Sequence, residues 1–141
     1  SLGLHYEGFD SLLARSDFIV LCVPLTDRTR GLIDARAFSR MKPSAVLVNV
    51  ARGPVVVTAD LLSALQAGTI AGAALDVTDP EPLPRDHGLL SLHNLVITPH
   101  LGSATNQTRR RMAEISVDNL LAGLDGRLLP SPVVLPSQGS S

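Results

Sequence analysis

Four short apolar runs recur along the chain without polar alternation: DFIVLCVP (17–24), AVLVNV (45–50), AGAALDV (71–77) and NLVITP (94–99). A strand with one face on water alternates with period 2. A run with no polar face needs cover on both sides, as strands have in parallel sheets flanked by helices. The stretches between the runs are helical in pattern. They are FDSLLARS (9–16), then DARAFSRMKP (34–43) with Asp34 as cap and Pro43 as stop, then TADLLSALQAG (58–68). In the last of these Thr58 is the expected cap, Asp60 lies in the first turn and Gly68 follows the end. The longest runs from about Ser103 to about Leu124, with Ala113, Val117, Leu120, Leu121 and Leu124 at helical spacing behind Arg109, Arg110 and Arg111. Strand and helix in alternation predict an α/β chain built on an open parallel sheet.

The bulk properties narrow the function. At 141 residues the chain suits one domain, residues 1–130, with a Pro/Ser-rich tail over 131–141. A net charge of −1, 3% aromatic residues and no Trp argue against nucleic acid or a charged membrane surface as partner. No apolar stretch approaches the roughly 20 residues of a bilayer span. The opening SLGLHYEGFD lacks a signal-peptide pattern. The one cysteine, Cys22, excludes an internal disulfide, so a cytoplasmic setting is expected. Its mid-run place predicts a buried structural thiol. No metal ligand set is expected.

Ligands of open α/β sheets bind outside the carboxyl ends of the strands. The residues following the four runs are PLT, ARG, DVTDPEP and PHLGSAT. Arg52, between a strand and a Gly-Pro turn, has a fork that takes a carboxylate through two parallel bonds, although alone it reads as a solvated turn residue. His100, behind a proline and before a helix start, is suited to acid–base work near neutral pH, with a capping or core histidine equally compatible. Asp76 and Glu81 sit in LDVTDPEPLP, where three prolines fall within five residues, 80–84. The fold would gather all four along one edge, and an Arg, a His and carboxylates at one mouth suit acid–base or reductive chemistry. His5, His87 and His93 read as ordinary loop residues.

The stretch VLVNVARGPVVVTADLLSALQAGTIAGAALDVTDPEPLP, followed by LHNLVITPHLGSAT, resembles the D-isomer-specific 2-hydroxyacid dehydrogenases, in particular the glyoxylate/hydroxypyruvate reductase branch. The likeness runs from about Ser16 to about Pro130. It implies the C-terminal half of a Rossmann-type doubly wound parallel sheet, an NAD(P)-binding domain lacking the glycine-loop strand. It also implies an enzyme that reduces a small 2-oxo acid such as glyoxylate or hydroxypyruvate with NADP or NAD as cofactor, as a homodimer at full length. The roles it implies are Arg52 clamping the substrate carboxylate, His100 as proton donor, and Glu81 hydrogen-bonded to His100, held in place by the stiffening prolines. Pro24, Val50, Asp76 and Gly102 would meet the cofactor, and Ser103 the substrate.

The family's G-x-G-x-x-G turn does not occur in the sequence, and the chain begins near the family's short third strand, expected around LHYEG (4–8). The strand over 17–23 should then form an exposed sheet edge. By itself the chain is expected to be inactive. Two rival readings share the fold: a dinucleotide-sensing corepressor-type binding protein and a truncated, non-catalytic product. The corepressor branch carries an aromatic, usually Trp, soon after the histidine, where this chain has HLGSAT.

Overall fold

The computed structural model describes residues 3–133. The chain divides into two compact units, one ending at Gly102 and one starting at Ser103. The first unit runs α1 (Phe9–Arg15), β1 (Phe18–Leu21), α2 (Ala35–Phe38), β2 (Val46–Asn49), α3 (Thr58–Gln66), β3 (Gly72–Leu75) and β4 (Leu95–Ile97), with short 3₁₀ turns at Gly53–Val55 and Gly88–Ser91. All strand pairs are parallel and the order is β1-β2-β3-β4, so β1 is an edge strand, as expected. The register aligns Ile19, Leu47, Ala73 and Leu95 in one row and Leu21, Asn49, Leu75 and Ile97 in the next row of that face. The buried apolar members of these rows form one core with Leu13 of α1, Ala37 and Phe38 of α2, and Leu61, Ala64 and Leu65 of α3. Burying each large side chain such as Leu47 or Phe38 contributes about 1.5–3 kcal/mol.

The opposite face does not match the expectation of cover on both sides. Phe18, Val20 and Val96 there remain exposed, at 72%, 55% and 62%. The helices of the first unit contribute their buried residues to the Leu47 face alone. Cys22 follows the same phase: it lies one residue beyond β1 and is exposed, not buried within a strand as its run suggested. Residues 4–8 form no strand, because no ladder partner lies beside them among the described residues.

Local signals explain the helix boundaries. Asp34 caps α2 as predicted, its Oδ1 accepting from the Ala37 amide at 2.8 Å. That helix stops at Phe38, well short of Pro43, and tightens into i→i+3 bonds from Arg40 to Ala37 and from Met41 to Phe38 before the chain enters β2. Thr58 is not the cap of α3 but its first residue; Val57 occupies the cap, and the Thr58 hydroxyl donates to the Asp79 carbonyl at 2.7 Å. Asp60 accepts from the Ala35 amide at 2.8 Å, joining the starts of α2 and α3. Gly68 has the positive φ, 67°, that its place after the helix requires.

In the second unit, α4 (Asn106–Leu124) is capped by Thr105, whose hydroxyl accepts from the Thr108 amide. Met112, Val117, Leu120, Leu121 and Leu124 are all exposed, and only Ala122 of this helix is buried. The tail predicted over 131–141 lies, from residue 134 on, outside the described residues.

Candidate active site at the carboxyl ends of the strands

The turn after β2 is built around Asn49, the one buried polar side chain among the described residues, 1% exposed. Its Oδ1 accepts from the Ala51 amide at 3.0 Å and its Nδ2 donates to the Arg52 carbonyl at 3.1 Å. These bonds fix the backbone from which Arg52 projects. Arg52 Nη1 donates to the Ala51 carbonyl at 2.7 Å, so part of the fork already holds the side chain against its own turn. The next residue, Gly53, packs so closely on the following loop that a Cβ there would collide with the Thr78 carbonyl. Only glycine permits that approach. Close packing at Gly53 and the Thr58–Asp79 bond thus lock the loops after β2 and β3 together.

The loop after β3 carries Asp76 and Glu81, with Leu83 packed on the core. The Asp79–Pro80 and Glu81–Pro82 peptide bonds are cis. Thr78 pins the loop from inside: its hydroxyl donates to the Pro80 carbonyl at 2.9 Å, and its amide donates weakly to Glu81 Oε2 at 3.4 Å. Glu81 Oε1 meets His100 Nδ1 at 2.7 Å, leaving Nε2 of the imidazole for a ligand. Both side chains are partly exposed, 43% and 46%. The His100 hydrogen bond is the main reason that the Glu81 carboxyl is held below its ordinary range. The Thr78 amide and the charges of His100 and Arg52 act in the same direction. Glu81 is therefore ionised at neutral pH.

His100 is the single non-glycine residue with positive φ, 56°, among those described. Histidine tolerates this region better than most residues, yet it still costs on the order of 1–3 kcal/mol and needs support from its surroundings. That support is local. Pro99 lies inside a tight turn closed by the His100 amide on the Thr98 carbonyl at 3.0 Å. The amides of Leu101 and Gly102 then point at Asp76, to Oδ1 at 2.7 Å and Oδ2 at 2.8 Å, and the Thr98 hydroxyl donates to Oδ1 at 2.5 Å. The Thr98 hydroxyl, then the Leu101 and Gly102 amides and the His100 charge, hold the Asp76 carboxyl below its ordinary range.

Asp76, Thr78, Glu81, Thr98 and His100 line a recess of about 580 Å³ whose other walls are apolar: Pro82, Leu83, Leu90, Ile97 and Pro99. A second recess of about 610 Å³ lies at the ends of β1 and β2, between Cys22, Val23, Pro24, Leu25, Val50, Ala51 and Arg52. The structure therefore pairs Asp76 with Gly102 and Glu81 with His100, and gathers Pro24, Val50 and Arg52 around the second recess. Arg52 is near enough for its charge to act on Glu81. Ser103 opens the second unit. Three supporting residues escaped the sequence reading: Asn49, Thr78 and Thr98. An asparagine inside the apolar run AVLVNV was the available signal for the first; the two threonines carried none. Among the described residues no cluster of metal-binding side chains occurs, and no helix is long and apolar enough to cross a membrane.

The chain is similar to known proteins over most of its length. A glyoxylate reductase/hydroxypyruvate reductase from Homo sapiens is 52% identical over 131 residues, covering 93% of this chain and 40% of the relative. The crystal structure of the TT0316 protein from Thermus thermophilus superposes with a TM-score of 0.91 at 50% identity, over 94% of this chain and 42% of that one. An NADPH-dependent glyoxylate/hydroxypyruvate reductase from Sinorhizobium meliloti, solved with NADP and malonate, gives 0.88 at 39% identity, over 94% and 42%. The chain thus spans about 40% of the length of the curated relatives it matches. Residues 1–102 match the family model described as D-isomer specific 2-hydroxyacid dehydrogenase, NAD binding domain, and the chain belongs to that family.

Proposed function

We propose that the full-length protein containing this chain reduces a small 2-oxo acid of the glyoxylate or hydroxypyruvate type to the D-2-hydroxy acid, using NADPH or NADH. The observation that carries this reading is the Glu81–His100 contact at 2.7 Å, formed between two strand ends beside a third that presents Arg52. The names of the related reductases support the choice of substrate class. The residues present fit one end of a dinucleotide. The recess with Val23, Pro24, Leu25 and Val50 on its walls offers apolar surface to a flat ring, with Arg52 at its border. Pro24 and Val50 would hold that ring, and the bound cofactor supplies hydride to the substrate carbon.

The chain's own residues perform the remaining work. Arg52 takes the substrate carboxylate, which orients the adjoining 2-oxo group and spares the loss of freedom at the moment of reaction. His100 Nε2 gives a proton to the carbonyl oxygen as the carbon receives hydride, and removes it again in the oxidative direction. Glu81, ionised, holds Nδ1 and stabilises the imidazolium from which the proton leaves. We assign residues 1–130 to the cofactor-side domain of this enzyme. The test is NADPH and NADH oxidation by the full-length protein with glyoxylate, hydroxypyruvate and pyruvate, with chiral analysis of the hydroxypyruvate product. D-glycerate from hydroxypyruvate is expected; no turnover of any 2-oxo acid, or the L product, contradicts the proposal.

A further inference from the structure

We propose that Asp76 is a positioning residue: its carboxylate clamps the loop 98–102 and so keeps His100 in the left-handed conformation that delivers Nδ1 to Glu81. Three donors converge on this one carboxylate, the Thr98 hydroxyl and the Leu101 amide on Oδ1 and the Gly102 amide on Oδ2. A carboxylate has about four acceptor positions, so about one remains for anything else. Outside a helix N-terminus, successive amides converge on one anion where the backbone beside them alternates in hand, as in a nest. His100 supplies the left-handed residue, with φ at 56°. The left-handed histidine and the anion clamp are therefore two views of one arrangement. Gly102 fits the same arrangement, because a Cβ added there would lie 3.2 Å from Asp76 Oδ2, closer than ordinary van der Waals contact.

The clamp and the proton donor face different neighbours, which makes the roles separable. Asp76 bonds Thr98, Leu101 and Gly102, whereas His100 Nδ1 bonds Glu81. Besides His100, Arg52 is a cation whose charge reaches Glu81. Loss of the clamp would thus leave Arg52 and its turn intact while releasing His100. The geometry of the clamp is independent of the proposed reaction; its catalytic consequence rests on that proposal.

The experiment uses the full-length protein with Asp76→Asn, which keeps the shape and loses the charge, and Thr98→Val, which removes one donor and leaves the carboxylate. For Asp76→Asn, kcat for the 2-oxo acid should fall on the order of 100-fold, the loss typical of a misplaced reacting group. KM for the 2-oxo acid should hold. Thr98→Val should show the same signature with a smaller fall in kcat. Amide resonances of Leu101 and Gly102, followed by NMR, should shift and lose protection from exchange in Asp76→Asn. Unchanged kcat in Asp76→Asn, or a loss confined to cofactor Kd with both amides unmoved, overturns the clamp. If the wild-type protein reduces no 2-oxo acid, the proposed function fails, while the two amides still decide whether the clamp exists.

Discussion

Replacing Asn49 by Ala removes a buried amide that satisfies two backbone groups of the Arg52 turn. The Ala51 amide loses its acceptor at 3.0 Å and the Arg52 carbonyl loses its donor at 3.1 Å. Each bond contributes about 0.5–1.5 kcal/mol net, and a donor left unsatisfied in the interior costs about 1–3 kcal/mol. Asn49 is 1% exposed and Ala51 6%, so water does not readily take over the Ala51 amide. The expected loss is therefore about 2–4 kcal/mol. With a urea slope of about 2 kcal/mol per molar, the unfolding midpoint of the full-length protein should drop by on the order of 1–2 M. Asn49→Asp provides a sharper check. It keeps an acceptor for the Ala51 amide but sets a second oxygen against the Arg52 carbonyl, so it should be no better than Ala. Urea unfolding monitored by circular dichroism measures both variants. An Asn49→Ala midpoint indistinguishable from wild type, or an Asp variant as stable as wild type, refutes the claim that this side chain holds the turn.

Arg52→Lys should lower kcat/KM for the 2-oxo acid, since one bond of a bidentate, charge-assisted pair is worth about 1.5–3 kcal/mol; steady-state kinetics with an unchanged value would return Arg52 to an ordinary turn residue. The Glu81 and Asp76 carboxyls are both depressed from ordinary values of 4.5 and 3.8, so the unfolded chain takes up protons before the folded one does. Their stabilisation is complete above about pH 4.5 and is lost as pH falls through the depressed values. Urea midpoints measured across that window should fall less steeply for Glu81→Gln than for wild type.

Much of the fold was legible because its signals are local and periodic. The four non-alternating runs gave the strands and their parallel class, and β1 at the edge followed from the absent glycine turn. Asp34 and Gly68 were readable because capping chemistry depends on adjacent residues. What failed depended on neighbours in space. LHYEG, a strand only by the family resemblance, finds no ladder, and Cys22 and Val20 sit in apolar runs yet face outward where nothing in the first unit covers them. Thr58 looked like a cap until a loop from 21 residues away offered the Asp79 carbonyl. The candidate site divides the same way. Arg52, Glu81 and His100 were visible as chemistry at strand ends. The left-handed His100 and its clamp were not, because no residue type in TPHLGSAT announces a bond to a carboxylate 22 to 26 residues earlier.

In the proposed reaction His100, held by Glu81, supplies the proton as the 2-oxo acid is reduced. The direct measurement is single-turnover reduction of hydroxypyruvate by the full-length His100→Gln protein, with NADPH or NADH binding followed by fluorescence in the same samples. Removing a positioned acid should slow the step by on the order of 10²–10⁴-fold while cofactor affinity is unchanged. A His100→Gln protein that reduces hydroxypyruvate at the wild-type rate would show that His100 is not the proton donor.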